Sequence, residues 1–212
     1  MKLYYTPGTC ALSDHIALEW IGKPFDAQLV SREERKQPAY LAINPAGAVP
    51  ALVVDGWILT QNVAILNYLA DKNPEAMLGG DGTPESRAVV NQWLSLVNSD
   101  VHPLFKVWFG SVAFLDEADQ AKVQEANRAQ LRTLFERIDQ QLEGKQWVVG
   151  TRSIVDPYLF VVLRWARAVK VDLEGLDNLR AFFKHMREDP GVQKALEVEG
   201  LRRRARTPEL GH

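Results

Sequence analysis

The sequence predicts a mixed α/β domain followed by an all-helical domain. Strand-like runs alternate with helical patterns as far as about residue 71, and the strand signals stop beyond a cluster of glycine and proline at residues 74–84. Such a shift in composition is typical of an interdomain linker. We therefore place the domains at residues 1–76 and 87–212, with residues 77–86 as the linker.

The first domain begins with a predicted β-α-β unit. Residues 3–5 suit a buried strand, residues 7–8 mark a turn, and apolar residues then repeat at helical spacing (Leu12, Ile16 and Trp20). Residues 25–30 alternate well enough for a second strand. A unit of about 30 residues predicts parallel strands with a right-handed crossover.

A hairpin and a helix complete this domain in the prediction. Two apolar runs, residues 51–54 and 57–60, are joined by Asp55-Gly56, which favours a tight turn. The next stretch has a helical pattern, with Thr60 as its expected N-cap. Pro50, before the first run, is either an ordinary strand-start proline or a cis-proline. The sheet is expected to be mixed.

Four long helical patterns follow the linker, at about residues 84–109, 117–143, 153–170 and 177–200. The last is expected to break at Asp189-Pro190-Gly191. Within the third, Ser153 and Asp156 have the spacing of a capping box, for which we expect a role in folding.

Composition excludes several classes of function. The 212 residues carry 25 basic and 27 acidic side chains, so no overall field favours nucleic acid or an anionic membrane. No apolar run approaches the roughly 20 residues that span a bilayer. The histidines are far apart and lack paired cysteines, which argues against a metal site, and no phosphate-binding glycine motif is present. One cysteine and no secretion signal predict a cytoplasmic protein.

The single cysteine, Cys10, lies at or just before the start of the first predicted helix. There the helix dipole and unpaired N–H groups favour a thiolate, so we expect a lowered thiol pKa and a more nucleophilic sulfur. The simpler interpretation is that a lone cysteine is a small buried hydrophobe. A hydrolase triad with His15 or His102 is weakly supported.

Position 13 is serine, so the chain lacks the resolving cysteine of a dithiol oxidoreductase. A resolving thiol must then come from outside the protein. Glutathione is the abundant cytosolic thiol that would serve.

Motifs along nearly the whole chain carry a more specific resemblance. They include residues 4–10, Asn44-Pro45, residues 49–52, Tyr68-Leu69-Ala70-Asp71 and Leu163-Arg164-Trp165-Ala166. On these residues the sequence is similar to the bacterial glutathione S-transferases, most of all to the beta class. The resemblance implies a thioredoxin-like N-terminal domain, an all-helical C-terminal domain and a cytoplasmic homodimer with a role in detoxification. The implied reaction joins the thiolate of glutathione, a co-substrate, to hydrophobic electrophiles.

The resemblance also implies a set of site residues. Cys10 and His102 would flank the glutathione sulfur, and Cys10 would be able to form a mixed disulfide with glutathione. Backbone groups of Val49, before a cis Pro50, would pair with the cysteinyl part of glutathione. The γ-glutamyl carboxylate would bind at a helix N-terminus, where N–H groups and the dipole suit an anion. The residues there are Gln61 and Asn62, and second candidates on the helix of His102 are Ser95 and Asp100, one of them reaching across a dimer interface.

Two basic residues common in the family, possible anchors for the glycyl carboxylate, are replaced here by Ala46 and Pro103. The charged segment 31–38 is either a solvated surface or the source of a replacement, and its candidates are Arg32, Arg35 and Lys36. Beyond His102, Trp108 and Phe109 are candidates for an apolar electrophile pocket, with packing in the core as the alternative.

Two other functions stay open on the sequence. One is a glutaredoxin-like thiol transferase or disulfide reductase, which would need the thiol of Cys10. The other is a non-catalytic binding or scaffold protein built on a transferase fold.

Overall fold

The computed structural model describes residues 1–202. Its N-terminal domain consists of β1 (Lys2–Tyr5), α1 (Ala11–Ile21), β2 (Asp26–Leu29), α2 (Pro38–Leu41), β3 (Ala51–Val54), β4 (Trp57–Thr60) and α3 (Asn62–Lys72), with a 3₁₀ turn at Glu34–Lys36 and another at Pro74–Ala76. The strands and helices predicted for this domain are all present, with ends shifted by one or two residues.

The four strands form one mixed sheet in the order β2-β1-β3-β4. β1 runs parallel to β2, with Leu3 opposite Ala27, and β3 is antiparallel to both β1 and β4. Asp55 and Gly56 have φ values of 50° and 82°, so both take the left-handed conformation of the tight hairpin turn that their identities predicted. The predicted β-α-β unit, hairpin and mixed sheet are therefore confirmed.

Thr60 is not the N-cap of α3, contrary to the expectation from sequence. It is the last residue of β4 and pairs with Ala51, so its backbone belongs to the sheet. Gln61 takes the N-cap position instead, with φ 73° and ψ 116° and without a capping side-chain hydrogen bond. The strand thus passes into the helix through one strained residue.

The helical domain consists of α4 (Pro84–Ser95), α5 (His102–Leu104), α6 (Glu117–Gln141), α7 (Val155–Ala168), α8 (Asp177–Glu188) and α9 (Pro190–Val198). The predicted helix over 84–109 is interrupted by a π-helical turn at Leu96–Val101 and ends in a 3₁₀ turn at Phe105–Trp108. Pro103 offers no backbone N–H, so regular α-helical bonding cannot run through this region. The break before Pro190 occurs as expected.

Asp156 is fully buried at the start of α7. Its carboxylate accepts hydrogen bonds from the backbone N–H of Ser153 (2.7 Å), the Ser153 hydroxyl (3.0 Å) and the backbone N–H of Val148 (2.9 Å). The carboxylate half of the predicted capping box is therefore present, and it fastens the preceding loop to the helix. The Ser153 hydroxyl accepts the N–H of Val155 (3.3 Å) rather than that of Asp156, and Ile154 takes the N-cap position.

One apolar core runs through both parts of the chain. Leu3 and Ile16 of the first domain belong to the same buried cluster as Phe160 of α7, because α1 packs against both α7 and α9. In the linker, Leu78 is fully buried and its carbonyl accepts the N–H of Ile154 at 2.9 Å. No helix within residues 1–202 has the length and apolar character needed to cross a membrane. The domain limits given above stay a prediction.

Candidate functional site

Cys10 stands at the N-cap of α1, directly after the Pro7-Gly8 turn. Its Sγ lies 3.9 Å from the backbone oxygen of Val49, and the Val49–Pro50 peptide bond is cis. The fold therefore brings together the cysteine and the Val49-Pro50 segment, which are far apart in the chain.

The expectation of a thiolate at Cys10 is wrong. Burial and then the charge of Asp14 together raise the pKa of the Cys10 thiol to about 12, although the N–H groups of Cys10 and Ala11 act in the opposite direction. Some of the residue is still exposed, but protein atoms surround the sulfur. At the start of α1, loss of hydration outweighs the helix dipole, and the thiol stays protonated at neutral pH.

A buried polar network lies directly behind Cys10. With its amide nitrogen facing Asp14, Asn62 donates to Asp14 Oδ2 at 2.9 Å and to the backbone oxygen of Cys10 at 3.0 Å. Burial, and then the charge of Glu199, raises the pKa of Asp14 well above its usual range. The hydrogen bonds of the Asn62 side chain thus go to residues at the start of α1. As first residue of α3, Asn62 keeps a backbone N–H that has no partner within the helix.

Gln61 is exposed at the N-terminal end of α3. Four residues at the start of a helix carry N–H groups without intrahelical partners, and the helix dipole is positive there. At the predicted anion site, the groups that suit an anion are therefore the backbone N–H groups at the start of α3 and the side chain of Gln61.

Arg35 lies beside the loop that leads to Val49. Its backbone oxygen is 3.1 Å from the position that a Cβ on Gly47 would occupy, and its charge acts on the Tyr40 hydroxyl, which donates to the backbone oxygen of Ala48 at 2.7 Å. The Nε atom of Arg35 is buried without a hydrogen-bond partner in the described residues. Lys36, in the same 3₁₀ turn, is exposed. Of the predicted basic candidates, Arg35 is partly buried, whereas Arg32 and Lys36 are exposed.

His102, at the start of α5, is paired with Tyr158 of α7. The Tyr158 hydroxyl lies within hydrogen-bond distance of His102 Nδ1 and also donates to Asn98 Oδ1 at 3.2 Å. Burial and then the charge of Lys106 together lower the pKa of His102 to about 4. His102 is therefore neutral at pH 7.

Trp165 joins His102 to the turn before Cys10. Its ring centroid lies 4.9 Å from that of His102, and its Nε1 donates to the Gly8 backbone oxygen at 2.8 Å. Phe109, about half exposed, packs edge-on to Trp165 with ring centroids 5.2 Å apart. Trp108 packs instead on Phe105 and under the guanidinium of Arg128. Phe109 thus belongs to the aromatic wall beside His102, whereas Trp108 faces α6.

Ser95 and Asp100 are both exposed, and among residues 1–202 neither contacts Cys10 or His102 through a hydrogen bond. Their roles stay predictions. The sequence reasoning missed Tyr158 and treated Trp165 mainly as a core residue. A signal was present, since the two aromatic residues are seven positions apart and so share one face of α7, each with a polar atom on its ring.

Comparison with known proteins shows what the chain is similar to. The family described as "Glutathione S-transferase, N-terminal domain" matches residues 10–72, and "Glutathione S-transferase, C-terminal domain" matches residues 87–190. The glutathione S-transferase GST-4.5 of Xanthomonas campestris pv. campestris is 53% identical over 205 residues, covering 95% of this chain and 100% of the relative.

Two solved structures show the same architecture. A glutathione S-transferase from Xylella fastidiosa superposes with a TM-score of 0.92 at 51% identity, covering 94% of this chain and 98% of that one. The bacterial beta class glutathione S-transferase of Sphingomonas chungbukensis has a TM-score of 0.83 at 36% identity, covering 95% of this chain and 100% of that one.

Proposed function

The chain belongs to the glutathione S-transferase family and is a glutathione transferase with glutathione as its co-substrate; from this membership we propose that it joins the glutathione thiolate to hydrophobic electrophiles beside Cys10 and His102. The observation that carries the proposal is the arrangement of His102, Tyr158, Trp165 and Gly8, which links the helical domain to the turn before Cys10.

Three features support glutathione as the ligand of this region. The N-terminus of α3 suits the γ-glutamyl carboxylate, and the backbone of Val49 offers main-chain groups to the cysteinyl part. Arg35, half-buried beside the loop before Val49, has the charge that suits the glycyl carboxylate and would replace the basic residues absent at Ala46 and Pro103.

The two groups beside the sulfur have distinct tasks in this proposal. The Cys10 thiol is protonated and acts as a weak hydrogen-bond donor toward the glutathione sulfur. Since Tyr158 donates to Asn98, its oxygen accepts from His102 Nδ1–H, which leaves His102 Nε2 as a proton acceptor.

His102 Nε2 takes the proton of the glutathione thiol, and the sulfur uses its electron pair to form a bond to the electrophilic carbon. The leaving group departs with the electron pair of its own bond, and His102 then returns the proton to water. Phe109 and the Trp165 ring provide apolar contacts for the body of the electrophile.

The raised pKa of Cys10 disfavours the thiol-exchange alternative. A thiol with a pKa of about 12 is almost entirely protonated at pH 7, whereas attack on a disulfide needs the thiolate. A mixed disulfide between Cys10 and glutathione is therefore expected to form slowly, when the Cys10 thiolate attacks oxidised glutathione (the disulfide) and one glutathione leaves as thiolate.

We further propose a homodimer in the cytoplasm with a role in detoxification. Large apolar side chains are exposed on β4 and α4 (Trp57, Ile58 and Val89), and a second copy of the chain would cover them. The cytosol is also the compartment that holds glutathione as its main thiol buffer. Sedimentation velocity tests the dimer, and a monomer at micromolar concentration contradicts it.

A conjugation assay tests the reaction. With 1-chloro-2,4-dinitrobenzene as electrophile, we expect glutathione-dependent turnover that survives Cys10→Ala and falls strongly in His102→Gln. Thiol exchange with a glutathione mixed disulfide should be slow and should vanish in Cys10→Ala. Exchange faster than conjugation would favour the thiol-transferase function, and absence of both activities with tight binding would favour a binding protein.

A further inference from the structure

The segment that carries His102 also carries a lysine on the same side. His102 begins α5, and Lys106 follows one turn later, in the 3₁₀ turn at Phe105–Trp108. Residues three and four apart in a helical segment are neighbours on its surface, so Lys106 lies between His102 and Phe109. The Trp165 ring packs edge-on against both of those residues, with ring centroids 4.9 Å and 5.2 Å apart. Lys106 therefore lies on the face that lines the conjugation site.

The ammonium group of Lys106 has no counterion in the part of the chain that the structure describes. The residue is exposed, and among residues 1–202 no carboxylate lies within ion-pair distance of its Nζ, whereas Lys122 in α6 pairs with Asp119 at 2.8 Å. The charge of Lys106 reaches the site, since it is the second cause, after burial, of the lowered pKa of His102. This ammonium group is thus available to an anionic group of a bound molecule.

The surface around Lys106 is aromatic. Phe109 is about half exposed, and it forms a wall with the ring of Trp165. In ligand sites with apolar walls, the few polar groups set orientation and specificity. We propose that Lys106 is a specificity-determining residue of the conjugation reaction, and that the preferred electrophiles are aromatic molecules that carry an anionic group such as a carboxylate. This inference rests on the proposed function and names its class of substrate.

Lys106 would act both on binding and on the reaction. With an aryl chloride, the glutathione sulfur forms a bond to the ring carbon, chloride leaves with the electron pair of the carbon–chlorine bond, and His102 Nε2 takes the thiol proton. Negative charge spreads into the ring while the sulfur adds. An ammonium group beside a carboxylate on that ring attracts the bound electrophile, and the attraction grows as charge develops.

Two aryl chlorides that differ in charge test this proposal. We would measure kcat/KM for 4-chloro-3,5-dinitrobenzoate and for 1-chloro-2,4-dinitrobenzene, each divided by its uncatalysed rate constant with glutathione. The quantity compared is the ratio of the charged to the neutral substrate. It should fall as salt is added, because salt screens an exposed ammonium group. Any change in the basicity of His102 affects both substrates and cancels in the ratio.

Charge changes at Lys106 should move this ratio. Lys106→Glu replaces attraction by repulsion and should lower it about tenfold, Lys106→Gln should lower it about threefold, and Lys106→Arg should keep it within about twofold. The matched control is Lys184→Glu, which makes the same charge change at an exposed residue of α8 that lies 4.0 Å from Glu188. No residue of the conjugation site lies on α8, so the control should change the ratio by less than about twofold.

An unchanged ratio in Lys106→Glu, or an equal fall in Lys184→Glu, would overturn the role of Lys106. If the wild type turns over 1-chloro-2,4-dinitrobenzene at the same time, the proposed function still stands. If circular dichroism shows that Lys106→Glu is unfolded, Lys106→Gln takes its place with the threefold criterion.

A binding measurement tests Lys106 even in a chain that conjugates neither aryl chloride. Quenching of tryptophan fluorescence gives the Kd of 3,5-dinitrobenzoate and of its neutral counterpart 1,3-dinitrobenzene. Lys106→Glu should raise the Kd of the benzoate about tenfold relative to that of the neutral compound. Equal changes for the two compounds would contradict the proposal.

Discussion

The backbone N–H of Gly8 donates to Glu199 Oε2 at 3.0 Å, which joins two residues 191 positions apart. The other carboxylate oxygen of Glu199 lies 3.1 Å from His15 Nδ1, and Trp165 holds the Gly8 carbonyl. Residues of the helical part of the chain therefore hold both the N–H and the carbonyl of Gly8, in the turn before Cys10.

Removing this carboxylate should destabilise the whole protein. Glu199 is almost fully buried, so Glu199→Gln loses a charged acceptor and should lower the free energy of unfolding by about 1.5–3 kcal/mol. Glu197→Gln, two residues earlier in the last turn of α9 and exposed, should change it by less than about 0.5 kcal/mol. Urea denaturation measures both, and equal effects would show that Glu199 has no special role.

The Cys10 thiol should react slowly with alkylating agents. A pKa of about 12 leaves about three thousandfold less thiolate at pH 7 than the ordinary cysteine value near 8.5. We expect mass spectrometry to show iodoacetamide labelling at least about a hundredfold slower for the native protein than for the protein in urea. Native labelling as fast as that of free glutathione would contradict the raised pKa.

Arg35 should contribute to glutathione binding more than its neighbour. Arg35→Ala should raise the KM for glutathione about tenfold with little change in kcat, because it removes a ground-state contact to a carboxylate. Lys36→Ala, an exposed residue in the same turn, serves as control and should shift KM by less than about twofold. Similar KM values for the two variants would rule out Arg35 as the anchor.

The Tyr158 hydroxyl should act through His102. Tyr158→Phe keeps the ring and its packing but removes the group that orients the imidazole, so we expect kcat to fall about tenfold while the KM for glutathione stays within about twofold. Steady-state kinetics at varied glutathione concentration measures kcat and the KM for glutathione separately. A change confined to KM would mean that Tyr158 shapes the glutathione site instead.

His102 should make the protein less stable in mild acid. Its folded pKa of about 4 lies below the ordinary value of 6.5, so the unfolded chain binds the extra proton between these limits. The stability it supports is fully present above pH 6.5 and is lost as the pH falls toward 4. The unfolding free energy of the wild type should therefore drop more than that of His102→Gln from pH 7 to pH 5. Parallel pH curves for the two proteins would contradict the lowered pKa.

The sequence predicted the elements whose causes are local. Asp55-Gly56 specifies its own turn, alternating side chains specify the strands on either side, and Ser153 with Asp156 specifies the start of α7. The relation of Cys10 to Val49 became predictable through family resemblance, because nothing near either residue in the chain indicates the other.

The sequence could not predict the ionisation of Cys10. The helix dipole is a local property of α1. The burial of the sulfur, which raises the thiol pKa by more than the dipole lowers it, depends on residues from several elements. The neutral state of His102 has the same origin, since it follows from packing against Tyr158 and Trp165, both of which lie more than 50 positions away along the chain.

The linker residue Leu78 is buried and bonded to Ile154, so the two halves of the chain are joined by non-covalent contacts as well as by the peptide backbone. The exposed residues 81–83 carry the chain from one half to the other, yet the halves are held together by the buried packing of α1 on α7 and α9 and by the bond from Ile154 to Leu78. A proteolytic cut at 81–83 should thus leave two fragments that stay associated and purify together. Natural recombination of the two halves would have to preserve the shared core rather than the linker.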